Sequence, residues 1–566
     1  MTQIGVYGWG VVAPRSPDIE SFARNLESSE SWLTPFNGFG PDNFLVGTPE
    51  FDFEVYRDWI DERFPANRFS QLTSKMDLTT LYAVGAFIQA IRAREGLESL
   101  LQELGDQAHV YIGTGLGAIP LQSDAAIELA EAQREWNKFW SQPERNEALA
   151  RHLSGEADAG AAGSRVQATA WEPSTVDGTG DGSDAPDDLP PNPESLADED
   201  ERYRARTAWF AYWAPRSSEL RRFLTELEAI EGVSVGGGDV ESSKIKVIRD
   251  RERKKARLLE EWGVPAPPWT RVTTNLIWNI PNTPASQVSM LGRITGLAFA
   301  PVAACSTFGV CLKLGMDAIR RGEAKAVVVG ATDPPPHPLT VGAFYTGRVL
   351  AAGGGVSKPL TGLRGTHVAG GSAIWVIGER AFMESRGLTP LGMEPVSVGV
   401  SSDADHIITP SKEGPTDAIR RALAGAGISP DEIESWDLHA TATPGDFLEV
   451  DTLRGVLPSE VMVTARKGTF GHGMSAGGGW ELTAQYLGAA RGALYPTPLT
   501  ADELNPEIGQ VHGHFVYEQE CPVGGRPMGK LSMGVGGVNA CVVSRPLEGA
   551  EGDPERAAGA PYASDP

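Results

Sequence analysis

The sequence predicts an α/β protein in which apolar strands alternate with amphipathic helices. Residues 4–14 and 109–117 each form an apolar run that ends in a glycine turn, as strands of layered domains do. Between them, 75–94 carries apolar residues at helical spacing. Apolar runs at 325–330 and 371–378 predict two further buried strands. This alternation of strands and helices is typical of a layered α/β fold.

The other regular elements continue the same pattern on either side of one interruption. They are predicted helices at 18–26, 308–321, 416–427 and 478–494 and a terminal strand pair at 530–544. The tail, 547–566, is rich in Gly, Ala, Pro and Asp, and we expect it to be flexible.

The interruption spans residues 121–269 and has a different character. It begins with a polar helical stretch at 121–150, and two further helices are predicted at 203–230 and 243–262, the last of them strongly basic. Between the helices, 154–201 is acidic and rich in Gly, Ala, Ser and Pro. Because such a composition buries too little apolar area to offset its chain entropy, we expect a disordered linker there.

The composition indicates a globular protein of a reducing compartment. Apolar residues make up 41% of the 566 positions, enough for sizeable cores. A net charge of −25 argues against non-specific nucleic-acid binding by the whole chain. The 4 cysteines form no CxxC pair, so neither a disulfide framework nor a metal site is predicted. Without a signal-peptide pattern or an apolar run of roughly 20 residues, a soluble cytoplasmic protein is expected.

Cys305 is the first candidate functional residue. An apolar run leads into it and a predicted helix follows it, so the thiol lies near a helix N-terminus. There the helix dipole favours the thiolate, and the free backbone N–H of Cys305 is placed to bind an oxyanion. An isolated cysteine is more often a buried structural residue, which is our interpretation of Cys311 inside the same helix.

Two histidines stand in small-residue turns further along the chain. His439 follows a strand-like run, and His472 lies between Gly471 and Gly473, which permit close approach to a ligand. A lone histidine is more often a satisfied hydrogen-bonding residue than a catalyst. A thiol and two imidazoles in order, however, indicate nucleophilic thiol chemistry assisted by two hydrogen-bond donors.

Two charged residues near the histidines are predicted to form an ion pair. Lys467 and Glu481 both stand among small and apolar residues, where a buried charge requires a partner. We expect a salt bridge behind the histidines that orients them and shapes the local field. The alternative is that both side chains are exposed and never meet.

Four ordered segments carry a specific motif pattern. They are Ala303-Ala304-Cys305-Ser306-Thr307; His439-Ala440-Thr441-Ala442-Thr443-Pro444-Gly445-Asp446 with Glu449 after it; Lys467-Gly468-Thr469-Phe470-Gly471-His472 with Glu481 after it; and Ser532-Met533-Gly534-Val535-Gly536-Gly537-Val538-Asn539. Together they resemble the motifs of β-ketoacyl synthases, the condensing enzymes of fatty-acid and polyketide assembly. The resemblance is strong over 270–546 and weak over 1–120.

The resemblance implies a thiolase-like fold, with two similar α/β halves in a layered αβαβα arrangement and a large insertion in the first half. The N-terminal half would comprise 1–120 and 270–385, and the C-terminal half 386–546. The insertion, 121–269, would interrupt the first half. The active site would lie between the halves, and such proteins usually form dimers.

The family reaction implies a role for each motif residue. Cys305 would accept an acyl group, and malonyl on acyl carrier protein would then lose carbon dioxide to give an enolate. His439 and His472 would stabilise that enolate through ring N–H groups, with Lys467 and Glu481 behind them. No metal and no resident cofactor are implied, because the phosphopantetheine arm arrives on the carrier protein.

Five residues would contact the intermediate or the substrate, again by resemblance. The oxyanion hole would consist of the backbone N–H groups of Cys305 and Val535. Thr441 and Thr443 would hold the pantetheine arm. Phe344 corresponds to an acyl-pocket phenylalanine, with an ordinary core residue as an equal alternative.

Several positions depart from the family pattern. Met533 and Val535 occupy the places of two gating phenylalanines and predict a softer gate. Ala440 replaces a glycine, and the loop to Asp446 is one residue shorter. The segment 358–373 lacks the acidic residues expected there. These departures leave the acyl substrate open.

The leading prediction is an acyltransferase of the 3-oxoacyl-[acyl carrier protein] synthase type. Its partners would be acyl carrier protein and acyl and malonyl thioesters, in a homodimer or a heterodimer with a related subunit. One alternative is a non-catalytic partner subunit that sets chain length, although such subunits typically lack the cysteine. Another is acyl transfer without condensation. The basic run 244–257 would either dock the acidic carrier or, as we favour, form a charged helix that is solvated or held against the acidic linker of the same chain.

Overall fold

The computed structural model describes residues 2–40, 43–156, 189–232, 240–405, 411–511 and 514–547. It divides into two compact units, one formed by Met1–Leu121 with Asn275–Pro566 and the other by Gln122–Thr274. Most of the predicted acidic linker, 157–188, and the tail from 548 onward lie outside the described residues.

The strands of the described residues are numbered in chain order. They are β1 (Ile4–Val12), β2 (Thr34–Pro35), β3 (Leu45–Val46), β4 (Ala108–Gly113), β5 (Ala298–Phe299), β6 (Ala326–Asp333), β7 (Gly371–Glu379), β8 (Met393–Ser402), β9 (Ser435–Asp437), β10 (Met462–Thr464), β11 (Ala493–Leu494), β12 (Cys521–Pro522), β13 (Met528–Gly534) and β14 (Val538–Pro546).

The α-helices are numbered in the same way. They are α1 (Ile19–Asn25), α2 (Arg57–Arg63), α3 (Arg68–Lys75), α4 (Leu78–Arg92), α5 (Leu97–Leu104), α6 (Ile119–Trp140), α7 (Glu147–Ser154), α8 (Glu199–Trp213), α9 (Ser218–Glu231), α10 (Val240–Trp262), α11 (Asn275–Trp278), α12 (Thr283–Gly292), α13 (Thr307–Arg320), α14 (Pro338–Thr346), α15 (Arg380–Ser385), α16 (Glu413–Ala426), α17 (Gly445–Arg454), α18 (Lys467–Phe470), α19 (Met474–Arg491) and α20 (Pro506–Val511). Among the described residues, no helix combines the length and apolar character needed to cross a bilayer.

Two five-stranded sheets of the larger unit have the same topology. The first has the order β1-β7-β6-β4-β5, and the second has the order β8-β14-β13-β9-β10 when it is listed from its β8 edge. In each sheet the first two pairings are antiparallel and the last two are parallel. The predicted pair of similar α/β halves is therefore confirmed.

The sheets and helices of this unit form five layers. Helices α13 and α19 contact strands of both sheets and lie between them. Helices α4 and α12 pack on the opposite face of the first sheet, and α16 packs on the opposite face of the second. The apolar core around the central helices contains Trp9, Trp375, Trp480 and Tyr486. This is the αβαβα arrangement that the sequence predicts.

A glycine run lets the two central helices approach each other. A Cβ atom on Gly479 of α19 would lie 2.5 Å from Ala373 Cβ and 2.6 Å from a ring carbon of Phe308 in α13. Any larger residue would push α19 away from α13 and from β7. Close packing here matters for function because the residues before both helices carry the candidate site.

The smaller unit is helical and has its own aromatic clusters. Trp136, Trp140 and Phe223 form one, and Trp209 and Trp213 form another. Helices α6 to α10 supply these side chains, as the periodicity of the sequence predicts.

One prediction for this region is wrong at both ends of the acidic linker. Ser154 ends α7, and residues 189–201 are ordered: Leu189 packs against the Trp209–Trp213 cluster, and Asp198 caps α8 by accepting from Glu201 N. A prediction based on overall composition overlooks such caps, because acidic residues also start helices.

Candidate active site

Cys305 lies in a short turn of 3-10 helix, Ala304–Ser306, directly before α13. Ala304 has a φ of +47°, a backbone conformation that costs a non-glycine residue about 1–2 kcal/mol. Thr307 Oγ1 stabilises the turn, accepting from Ala303 N at 3.0 Å and donating to the Ala304 carbonyl at 2.7 Å. The thiol therefore stands at a helix N-terminus on a strained turn, a common setting for a reactive group.

The cysteine turn is tied to the hairpin formed by β13 and β14. Ser306 Oγ lies 2.9 Å from the carbonyl oxygen of Ser532 and 2.7 Å from that of Val538, and it shares its proton between them. The loop of this hairpin carries Val535, whose backbone N–H points at the Cys305 thiol. The N–H of Cys305 itself also interacts with the sulfur. Both donors predicted for the oxyanion hole thus adjoin Sγ.

The two histidines meet the thiol from the second half of the larger unit. Cys305 Sγ and His472 Nε2 are 3.1 Å apart. The rings of His439 and His472 have centroids 5.3 Å apart and are nearly perpendicular, at 82°. One ligand atom from each of the three residues lies within 4.8 Å of the others. All three side chains are buried, so they face one small enclosed space.

Both imidazoles are held neutral. Burial lowers the pKa of His439 well below its usual range, and the positive charges of Lys467 and Lys530 lower it further. The pKa of His472 falls for the same first reason, with Lys467 and Lys530 adding to it. A neutral imidazole has one donor and one acceptor nitrogen.

The surroundings of His472 favour a proton on Nε2. No described residue gives the buried Nδ1 atom a hydrogen-bond partner. Leaving an acceptor unpaired is the less costly arrangement, because a buried N–H without a partner loses its full hydration. With Nδ1 as the bare acceptor, Nε2–H points toward Cys305 and the space in front of it.

One expectation about the thiol is wrong. The helix dipole predicts a stabilised thiolate, but burial raises the pKa of Cys305 to about 11. The Lys467 charge and the Val535 N–H oppose this rise without cancelling it. Burial is not visible in the local sequence, and here it outweighs the dipole. Cys305 is therefore a neutral thiol at rest and needs a proton acceptor before it can attack.

The predicted ion pair between Lys467 and Glu481 is present. Lys467 Nζ lies 2.6 Å from Glu481 Oε1, with side-chain exposures of 3% and 1%. Lys467 Nζ also donates to the carbonyl oxygen of His439. The pair thus holds the backbone of one histidine while it places a positive charge behind both rings.

Three more buried charges extend this pair, and none of them was predicted from the sequence. Lys530 Nζ lies 2.8 Å from Glu481 Oε2 and 3.5 Å from Asp437 Oδ1. Arg466 Nε lies 3.2 Å from Asp437 Oδ2. A signal for Lys530 existed, since this charged residue begins the strand pair predicted at 530–544. Its partners could not be read from sequence, because they lie on β9 and α19.

Two carboxylates shape the loops around His439. Glu449 accepts from His439 N at 2.6 Å and from Ala440 N at 2.8 Å. Asp446 accepts from Thr441 N at 2.8 Å and from other amides of the same loop. Burial raises the pKa of Asp446 to about 6 and that of Glu449 to about 7. These carboxylates organise backbone N–H groups and so fix the position of the histidine.

The residues predicted to contact the substrate differ in burial and in the clusters that they pack against. Thr441 and Thr443 are half-buried, and their hydroxyl oxygens are 2.9 Å apart. Met533 packs partly against the core of the second half, and Val535 is exposed. Phe344 is half-buried against a separate apolar cluster that includes Met474, the second residue after His472.

A thiol and two imidazoles are also donor types that bind Zn²⁺. Two features of this site oppose a divalent cation. Lys467 and Lys530 place positive charge beside the rings, and the raised pKa of Cys305 disfavours the thiolate that a metal requires. The arrangement is better suited to covalent chemistry at sulfur.

Two family models match the segments of the chain that contain these residues. A model described as the N-terminal domain of β-ketoacyl synthase matches residues 232–380, and one for the C-terminal domain matches 394–499. Cys305 falls in the first match, and His439, Lys467, His472 and Glu481 fall in the second. These residues therefore lie in segments similar to the two domains of β-ketoacyl synthases.

Curated relatives support the same assignment. The chain is 31% identical over 214 residues to the chloroplastic 3-oxoacyl-[acyl-carrier-protein] synthase I of Arabidopsis thaliana, a match covering 36% of this chain and 44% of the relative. It is 29% identical over 228 residues to 3-oxoacyl-[acyl-carrier-protein] synthase 2 of Staphylococcus aureus, covering 38% of this chain and 56% of the relative. The chain thus spans about half the length of the curated relatives it matches.

Solved structures share the fold. The ishigamide ketosynthase/chain length factor aligns with a TM-score of 0.60 and 16% identity, covering 96% of this chain and 99% of that one. A type II polyketide ketosynthase in complex with its acyl-carrier protein aligns with a TM-score of 0.58 and 15% identity, covering 96% and 100%. The thiolase-like fold predicted from the motifs is therefore confirmed.

Proposed function

We propose that this protein is a β-ketoacyl synthase, which condenses an acyl group held on Cys305 with malonyl carried on acyl carrier protein. The observation that carries the proposal is the enclosed group of one thiol and two neutral imidazoles, with Sγ and His472 Nε2 3.1 Å apart. The similarity to the two domain models of β-ketoacyl synthases supports it. The following steps use only groups of this site.

The first step transfers the acyl group to sulfur. The thiol is protonated at rest, so its proton must leave as sulfur attacks the thioester carbonyl. Because His472 directs Nε2–H at the sulfur, the thiol proton passes to the departing pantetheine sulfur, and Lys467 and this N–H stabilise the thiolate that forms. The N–H groups of Cys305 and Val535 receive the oxyanion of the tetrahedral intermediate. The pantetheine thiolate leaves with a proton, and the acyl-Cys305 thioester remains.

The second step forms the carbon–carbon bond. The malonyl carboxylate leaves as carbon dioxide, and the electrons of the broken bond become an enolate. His439 and His472 donate hydrogen bonds from their N–H groups to the enolate oxygen. Because both rings are neutral, they need not lose a proton before they do so. The α-carbon attacks the acyl-Cys305 carbonyl, the carbon–sulfur bond breaks, and Cys305 leaves as a thiolate that takes a proton from water to restore the resting thiol. No resident cofactor takes part.

The partner of this reaction would be an acyl carrier protein. Thr441 and Thr443 are half-buried hydroxyls near His439, and their mutual hydrogen bond can be exchanged for one to the pantetheine amides. Met533 and Val535 would form the gate to the acyl pocket, with Phe344 further along it. The structural neighbour that binds its own carrier protein supports this assignment.

We also propose that the protein is a dimer, with itself or with a related subunit. Strand β5 is an edge of the first sheet, and the flanking Leu297 and Val302 are exposed apolar residues. An apolar sheet edge pairs readily with another chain. Sedimentation of the Val302→Glu variant as a monomer would support this; an unchanged dimer would remove the β5 edge from consideration. The free cysteines fit a cytoplasmic location.

The test of the condensation is a reaction containing acyl and malonyl carrier thioesters. A 3-oxoacyl thioester and carbon dioxide should appear together, and both should vanish without malonyl or with Cys305→Ala. Acyl exchange between carriers without any malonyl-dependent product would indicate acyl transfer alone. No turnover of either kind would support a non-catalytic partner subunit.

A further inference from the structure

Lys530 is a buried cation, and the two carboxylates that it contacts are each already paired with another cation. It stands on β13 with a side-chain exposure of 1%. Its Nζ contacts Glu481 Oε2 at 2.8 Å and Asp437 Oδ1 at 3.5 Å. Each of these carboxylates already has a cation of its own, Lys467 for Glu481 and Arg466 for Asp437. Lys530 is thus a third cation over the two carboxylates that it contacts, while the buried Glu449 interacts with its charge without contact.

Pairing of the two contacted carboxylates, Glu481 and Asp437, therefore does not by itself explain why a lysine is buried here. Moving an ammonium group out of water costs several kcal/mol, and two matched ion pairs would be less costly without it. Burial alone would lower the pKa of Lys530, but Glu481, Asp437 and Glu449 outweigh burial and raise it, so the amine stays charged. The burial of this charged amine therefore needs a reason other than the pairing of those two carboxylates.

The position of Lys530 supplies one. Its Nζ lies 3.2 Å from the carbonyl oxygen of Leu438, while Lys467 donates to the carbonyl of His439. The two lysines therefore hold consecutive peptide groups of the loop that carries His439. They also divide the two oxygens of Glu481 between them. Loss of either lysine would leave the other and the carboxylate free to shift.

We propose that Lys530 is a second positioning residue of this active site, which fixes the His439 loop through Leu438 and Glu481 and supplies positive charge behind the two imidazoles. The charge would keep both rings neutral and ready to donate to a developing oxyanion. In its catalytic consequence, the inference rests on the proposed function. Its structural and electrostatic parts concern the chain without substrate.

The field at the histidines comes from groups on several elements. They are Lys467 and Arg466 at the start of α18, Lys530 on β13, Glu481 on α19, Asp437 on β9, Glu449 and Asp446 on α17, and Asp333 and the Cys305 thiol from the first half. Lys467 and Lys530 both contribute to the low pKa values of His439 and His472. Removing the charge of Lys530 must therefore raise both values.

The test uses Lys530→Gln, which removes the charge but keeps a hydrogen-bond donor, and Lys530→Arg, which keeps the charge. Lys325→Gln is the matched control, because Lys325 pairs with Glu379 at the surface of the first half. Proton titration of the histidines is followed by NMR in the full chain without substrate. His439→Gln and His472→Gln spectra assign the two resonances.

In Lys530→Gln, both histidine pKa values should rise by about one unit, as expected for a unit charge removed at close range in a protein interior. In the condensation assay kcat should fall about tenfold with KM little changed, and its acid limb should move to higher pH. Lys530→Arg should restore most of kcat, and Lys325→Gln should match the parent. Unchanged histidine titrations in a folded Lys530→Gln protein would overturn the proposal.

A second variant covers the case in which Lys530→Gln does not fold. Asp437→Asn removes a negative charge from the same network, so the histidine pKa values and the acid limb must move to lower pH. A shift in the other direction, or none, would also overturn the proposal. The titration needs no acyl substrate. A chain that shows the titration shifts but no malonyl-dependent product would keep this inference and refute the proposed function.

Discussion

The two halves of the larger unit share a strand order but differ in the strand at the middle of each sheet. In the first half, β6 lies between β7 and β4 and is apolar from Ala326 to Ala331. In the second half, β13 holds the same place between β14 and β9 and carries Lys530. The two halves therefore share a strand order but differ in the polarity of their central strands. The buried charges of the ion-pair network lie in the second half.

The central strand of the first half contributes mainly to stability, whereas that of the second half carries a charge close to the catalytic histidines. Strand β6 gains from apolar burial, about 25 cal/mol for each Å² removed from water. Strand β13 contains a buried ammonium that costs free energy unless its partners are in place. The first half contributes the nucleophile Cys305, while the second supplies both imidazoles and the charges that keep them neutral. Four experiments test this division of roles between the halves, from the largest expected loss of stability or activity to the smallest.

Replacing the carboxylate shared by the two lysines should have the largest effect. Glu481→Gln leaves Lys467 and Lys530 without their common partner in the interior, and the free energy of unfolding should fall by about 3–5 kcal/mol. Urea denaturation measures the loss. In the first half, Glu379→Gln breaks a half-exposed pair with Lys325 and should cost less than about 1 kcal/mol. Equal losses would show that the second half holds no special network.

Removing either imidazole should affect catalysis more than stability. His439→Ala and His472→Ala each delete one donor to the enolate oxygen, and kcat should fall by about 10²–10³. Steady-state condensation measures the change, with His337→Ala, at the start of α14, as the control. A fall below tenfold in both variants would mean that the enolate is stabilised elsewhere.

The reactivity of Cys305 should depend steeply on pH. With a pKa of about 11, its alkylation by iodoacetamide should rise roughly tenfold per pH unit from 7 to 10, whereas the unfolded thiol levels off above about 8.5. Because folding raises this pKa, the thiol also weakens stability as pH increases from about 9 to 11. Intact mass measured over time gives the rates. A plateau near pH 8 would contradict the burial argument.

The smallest effect is expected where the two halves are joined. Ser306→Ala removes the hydroxyl that connects the cysteine turn with the β13–β14 hairpin, and it should cost about 1 kcal/mol of stability. Acylation should slow modestly, since Val535 N–H would lose its fixed position relative to sulfur. The exposed Ser385→Ala variant provides the comparison. An unaltered acylation rate would show that the hairpin is held in place by other contacts.

Much of the fold could be predicted because its elements carry local signals. The apolar run that forms β6 and the helical periodicity of α4 and α13 come from neighbouring residues, so sequence places them within a few positions. Strand β8 escaped prediction. Its pairing with β14 depends on residues more than a hundred positions away, and its run 393–402 includes Pro395 and Gly399.

The site divides in the same way. Cys305, His439 and His472 stand in ordered motifs and could be identified from the sequence alone. The sign of the Cys305 pKa shift could not, because it depends on how deeply packing buries the thiol. Lys530 was missed for a related reason: a buried charge acquires its meaning from partners on other elements.

The most direct test of the central claim is covalent capture of an acyl group by Cys305. The protein is mixed with acyl carrier thioesters of several lengths and analysed by intact mass spectrometry, with Cys305→Ala and Cys311→Ala as paired variants. The account predicts a gain of one acyl mass that is lost in Cys305→Ala and kept in Cys311→Ala, which lies buried inside α13. Absence of an adduct with every donor, or an adduct that survives in Cys305→Ala, would contradict it.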